Sequence, residues 1–138
     1  MYRHKTKIFV FFIILGLTVF LYTYINKPEK DTRDIETEVS LTTNEIIAYI
    51  DNADNDYLKS YINKAIEVEG TVKELTFKNN IHSILLSSDN KERLVLCQMQ
   101  QGETSKMENI KEGELVKIKG IYKGSLLDAI LLNCIFIQ

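Results

Sequence analysis

Few side chains in this 138-residue chain are arranged for chemistry, and those few set the first limits on what it does. Cys97 and Cys134 have no C-x-x-C spacing, and with His4 and His82 they do not make a zinc-ligand pattern. His82 opens an apolar run and reads as a loop-edge side chain rather than the base of an activated nucleophile. Asp51, Asn52, Asp54, Asn55 and Asp56 crowd oxygen ligands together. The central glycine and twelfth-position glutamate of a calcium loop are missing, so a solvated turn capping a short helix is expected there. The remaining carboxylates fall on alternating, solvated positions, and no glycine loop is built to cradle phosphate. The expectation is a chain with no catalytic residues, no cofactor and no metal.

The elements that position these residues begin with an apolar run. Residues 1–7 form a short basic tail with Arg3, Lys5 and Lys7, and residues 8–25 carry no charge. Eighteen residues of helix rise about 27 Å, close to the roughly 30 Å hydrocarbon core of a bilayer. The run is apolar on every face, unlike a core helix of a soluble protein. The first alanine is Ala48 and the first cysteine Cys97, so neither signal cleavage nor lipidation has its residue. The expectation is an uncleaved transmembrane signal anchor in the cytoplasmic (inner) membrane, single-pass, with the lipid bilayer as partner through residues 8–25. Lys and Arg tie on the two sides of the run. The terminal amine tips the balance toward a C-terminal domain outside the cytoplasm.

Residues 26–41 hold the only proline, Pro28, and alternating charge without apolar periodicity, which predicts a solvated linker. Beyond residue 26 the chain carries 14 Lys and Arg against 19 Asp and Glu, a net charge of about −5. Binding by phosphate neutralisation needs clustered cations, so nucleic acid is disfavoured. Residues 42–138 read as helix plus barrel. A helix is predicted from about Thr43 to Asn52 and a second over Asp56 to Asn63, with Tyr49, Tyr57 and Tyr61 packing both on the barrel.

From about residue 65 the pattern changes period. IEVEGTVKELTF, IHSILLS and RLVLCQM precede a polar helical insert, TSKMENIKEG, and LVKIKGIYKG and AILLNCIFI come after it. Three strands, a short helix and two strands are the layout of an OB-fold, a five-stranded Greek-key barrel. In the first strand the inward parity passes from Ile66, Val68 and Val72 to Leu75 and Phe77, which predicts a β-bulge between the two sets. Gly70 and Gly120 occupy matching places in strands one and four and predict tight bends. Lys78, Asn79 and Asn80 connect strands one and two, Ser88 to Glu92 form the turn before strand three, and Gly113 ends a small helix around Lys106 to Lys111.

The succession NKAIEVEGTVKEL, LVLCQM, IKEGELVKIKGIYKG and LLNCIF resembles the tRNA_anti-like family, small bacterial OB-fold proteins often attached to the membrane by a helix or a lipid. The resemblance covers about Asn44 to Gln138 and implies the fold and an envelope location, with a protein anchor in place of the lipid. The third and fifth strands of such a barrel are neighbours, and Cys97 and Cys134 lie mid-strand in them. Two readings stand: a disulfide closing a 37-residue loop, stabilising by roughly 3 to 4 kcal/mol, or two buried thiols. The ligand face expected of an OB-fold is strands two and three with the loops at Lys78 to Asn80 and Gly124 to Leu127. Lys78, Asn80, His82, Arg93 and Lys123 are its candidate residues. The leading reading is a membrane-anchored, extracytoplasmic binding or interaction module for a protein, peptide or envelope saccharide. The alternatives are a single-stranded nucleic-acid or tRNA binder, which would add Lys73, Lys117 and Lys119, and a structural subunit of a membrane complex. An enzyme is not expected.

Overall fold

The computed structural model describes residues 2–27, 30–52, 56–89 and 92–137. Two compact units divide the chain, Met1–Lys30 and Asp31–Gln138. The first is one helix, α1 (Tyr2–Ile25), of which Lys5–Ile25 is long and apolar enough to cross a membrane by length and composition. Thr18 and Thr23 donate their hydroxyls to the carbonyls of Leu15 and Phe20, so these two polar side chains are satisfied inside the helix.

In the second unit five strands close a barrel: β2 (Ala65–Lys78), β3 (Ile81–Ser87), β4 (Leu94–Met99), β5 (Leu115–Ser125) and β6 (Ala129–Phe136). Their order is β2-β3-β4-β6-β5, and β5 pairs back onto β2. All pairings among them are antiparallel except β4 with β6, which is parallel. This is the OB-fold expected from the strand pattern. The predicted bulge lies between Val72 and Glu74, where the β2–β3 register shifts by one residue. Ile66, Val68, Val72, Ile84, Leu86, Val95, Ile118 and Leu131 fill the interior. The two mid-strand glycines answer to close approach as well as to bending. A Cβ on Gly70 would collide with Cγ2 of Thr43, and one on Gly120 with Sγ of Cys134.

Short helices pack on both ends. α2 (Thr43–Asp51) packs against β2 and β4 and buries Ile46 and Ile47, and α3 (Asp56–Lys59) packs on α2 and buries Leu58. Thr42 and Glu45 cap α2 reciprocally, and Thr43 donates its hydroxyl to the Ser87 carbonyl. Tyr49 stacks on Tyr57 at 4.5 Å and Tyr57 meets Tyr61 edge-on at 5.2 Å. α3 stops short of Asn63, which takes the left-handed conformation that starts β2. At the other end α4 is a single turn, Thr104–Met107, that buries Met107.

The linker reading of residues 26–41 requires correction. From Asp31 onward the segment is part of the barrel unit: a 3-10 turn at Thr32–Asp34, capped by Asp31, then a sixth strand, β1 (Val39–Thr42), parallel to Ile66–Glu69 of β2. Thr32 is fully buried, its amide donating to Oε1 of Gln100 and its hydroxyl to the Asn133 carbonyl. The Arg33 guanidinium meets the buried carboxylate of Glu103, and Nζ of Lys119 donates to the Ile35 carbonyl. Polar bonds rather than an apolar face hold this strap, which is why hydrophobic periodicity missed it. Only residues 26–30 remain as connection, and Pro28 lies outside the described residues.

Candidate ligand-binding face

The β2–β3 hairpin turns on Asn79 and Asn80, both with positive φ (53° and 62°), between paired Lys78 and Ile81. Two left-handed central residues make a type I′ turn, whose twist matches the strands it joins and which asparagine tolerates. The loop carrying Lys78 and Asn80 is therefore tight and rigid. Next to it the ring of His82 stacks on Phe77 at 4.3 Å. Phe77 shares the inward parity of Leu75, as its position predicts, yet it is 62% exposed. The reason is register. β3–β4 pairing ends at Ser83–Gln98, whereas β2–β3 pairing continues to Lys78–Ile81, so the hairpin overruns the barrel. Ser83 comes after His82 in sequence but points to the opposite face of the strand, so the two cannot act as nucleophile and base.

Arg93 and Lys123 lie at the other end. Nε of Arg93 pairs with Asp51 at 2.8 Å and its Nη1 donates to the Leu127 carbonyl at 3.0 Å, a clamp between α2 and the β5–β6 loop. Nζ of Lys123 donates to Oδ1 of Asn63 at 2.9 Å. β4, six residues and roughly 17 Å long, separates this end from the hairpin. The five candidate residues thus form two groups, not one site, and both cations at the second end already have partners.

Between the groups the outer face of the sheet is aliphatic. Leu85 pairs with Leu96 and Leu96 with Ile130, giving a half-buried row across β3, β4 and β6. Ile130 also lines a cavity of about 350 Å³ with Ile62, Tyr122, Lys123 and Leu126. Leu126 and Leu127, at the tip of the β5–β6 loop, are 87% and 77% exposed. The Tyr122 ring is buried, and burial raises its phenol above the ordinary range against a hydrogen bond to Ser125. Two adjacent leucines at a turn that normally takes polar residues were the sequence signal for this apolar end.

A tRNA_anti-like family profile matches residues 1–136. The chain belongs to the tRNA_anti-like family. The barrel is similar in fold to a proposed nucleic acid-binding lipoprotein from Klebsiella pneumoniae, at 11% identity over 81% of this chain and 100% of that one, with a TM-score of 0.62. Fainter likenesses, at TM-scores of 0.46 and 0.44, are to asparaginyl-tRNA synthetase from Pyrococcus horikoshii (16% identity, 57% of this chain and 20% of that one) and to yeast Stn1 and Ten1 (15%, 75% and 64%). No match to a curated protein sequence was found. At such identities the structural likenesses speak for the fold alone. The N-terminal apolar helix of this tRNA_anti-like protein has the length and composition of a membrane span or a signal sequence, which suggests an envelope or membrane location.

The two cysteines stand where the family barrel puts neighbouring strands. Both are fully buried and in contact with each other, and this structure holds them as free thiols. Burial, then the contact with the Cys97 thiol, pushes the Cys134 thiol well above its usual value. The pair fills the core as small apolar side chains. Among the described residues no cluster of His, Cys, Asp and Glu could hold a metal ion, and the Asp54 and Asn55 part of the oxygen-rich turn lies outside them.

Proposed function

We propose that this protein is a membrane-anchored, extracytoplasmic OB-fold module that binds a segment of another protein. The observation that carries the reading is the aliphatic path Leu85–Leu96–Ile130 leading to the cavity that the exposed Leu126 lines. Aliphatic side chains bury an apolar peptide anchor well. The one ring at the cavity, Tyr122, is buried rather than presented for stacking, and the two cations there are engaged, Lys59 with Asp56 and Lys123 with Asn63, which favours an apolar anchor over a base, sugar or phosphate. Residues 31–138 carry 12 Lys and Arg against 18 Asp and Glu, which adds to the case against polyanions. The helix of residues 8–25 supplies the anchor, and tethering supplies high effective concentration at the bilayer.

A second reading, single-stranded nucleic acid, is favoured by one observation: the Phe77–His82 stack beside Lys78 is an outward aromatic platform of the kind bases stack on. The name of the lipoprotein from Klebsiella pneumoniae points the same way. Photo-crosslinking separates the two. With p-benzoylphenylalanine in place of Leu126 in the full chain in membranes, the protein-binding reading expects an adduct that protease removes and nuclease leaves intact. A nuclease-sensitive adduct, or salt-dependent anisotropy of a labelled oligothymidylate, would overturn it in favour of nucleic acid.

A further inference from the structure

The end of the barrel from which the chain departs toward α1 is also the end with a protruding apolar hairpin tip. Asp31 and Thr32 are held at Gln100, just past the end of β4. Continuing the antiparallel β3–β4 register beyond Ser83–Gln98 brings Ile81 level with Gln100. The overrunning tip therefore lies at the strap end, and the Leu126–Leu127 loop at the opposite one, since Val95 at the start of β4 pairs with Ala129. At the tip Phe77 and Ile81 are exposed on opposite faces of the ribbon, Phe77 beside its cross-strand partner His82 and Ile81 beside Lys78, so a hairpin entering end-on carries both to a similar depth. A shallow groove of about 230 Å³ continues from Phe77 and His82 to Met107 on α4. The connection is five residues, 26–30, so the contour between Ile25 and Asp31 is about 20 Å at full stretch.

We propose that the β2–β3 hairpin tip is a second membrane contact, with Phe77 and Ile81 seated in the bilayer interface and Lys78 snorkelling to the headgroups. This rests on the membrane placement of α1 proposed above. An aromatic ring, a β-branched aliphatic and a lysine on a rigid turn are the side chains that favour the interfacial zone. The type I′ turn presents them without the ordering cost a flexible loop would incur. The contact would hold the barrel in one orientation, with the aliphatic cavity directed away from the lipid toward a protein partner.

The chain has no tryptophan, so a single introduced Trp reports its own depth. Phe77→Trp, Leu126→Trp and Tyr22→Trp are each made in the full chain and reconstituted in phosphatidylcholine vesicles with and without brominated acyl chains. Phe77→Trp is expected to be blue-shifted and quenched about two-fold, because an interfacial side chain sits roughly 5–10 Å deep. Leu126→Trp should be unquenched and Tyr22→Trp strongly quenched. Quenching at Tyr22 without quenching at Phe77 overturns the second contact and leaves the anchor standing. Quenching at Leu126 in place of Phe77 overturns the orientation. No quenching at Tyr22 removes the anchor and this inference with it.

Discussion

Replacing Arg33 with alanine tests the strap that turns a supposed linker into part of the barrel. Glu103 is fully buried, and its carboxylate receives the Arg33 guanidinium, the Phe136 amide at 3.1 Å and Nζ of Lys106 at 3.4 Å. Breaking a buried ion pair from one side costs about 3–5 kcal/mol, because the remaining charge stays buried without its partner. Here Arg33 is half exposed and Lys106 stays in place, so the expected loss is smaller, about 2 kcal/mol. That loss lowers a urea midpoint by about 1 M for a unit of this size. Glu103→Ala should cost at least as much, because it also removes the acceptor of the part-buried Phe136 amide, an added loss of about 1 kcal/mol. The assay is urea unfolding of the full chain in detergent, monitored by tyrosine fluorescence of the barrel unit, with hydrogen exchange of residues 31–38. In a double-mutant cycle the two losses should be less than additive, since both remove one contact. An unchanged midpoint for Arg33→Ala, together with unprotected amides at Thr32 and Glu38 in the unmodified chain, would show that the segment is a free tether and refute the reasoning.

The same geometry sets three further outcomes. Gly70→Ala should destabilise by about 1–3 kcal/mol through its collision with Cγ2 of Thr43, and Thr43→Ser, which deletes that methyl and keeps the hydroxyl for the Ser87 carbonyl, should recover much of it; no recovery in thermal unfolding would contradict the contact. With both thiols buried, the native protein should resist maleimide, and the denatured protein without reductant should take two labels by intact mass; zero labels would establish the disulfide instead. Burial raises the Glu67 carboxyl, but hydrogen bonds from Thr37 and Lys117 and the charges of Lys117 and Lys119 outweigh it, so its value lies below the ordinary 4.5. Its contribution to stability is fully present above about 4.5 and is lost as pH falls through the lowered value. Glu67→Gln should flatten that acid limb of the unfolding midpoint, and an unchanged limb would show that the carboxylate is not held there.

Features that depend on local periodicity are legible in the order of residues alone. The uncharged run 8–25, the alternation of β2 through β6, the polar insert between β4 and β5 and the parity change after Val72 each arise from side chains meeting lipid, core or water within a few residues. Those signals were enough for the OB-fold and for an apolar helix able to span a membrane. Features that depend on partners distant in sequence emerge only in the folded chain. Thr32 and Arg33 look like linker residues until Gln100, Asn133 and Glu103 arrive from 68 or more residues away to bond them. Phe77 keeps its inward parity and is exposed all the same, because β4 stops before the hairpin does. Arg93 and Lys123 looked like free cations on a ligand face and proved to be committed to Asp51, Leu127 and Asn63. Strand period sets which way a side chain points, whereas the lengths and registers of neighbouring strands decide what stands in front of it.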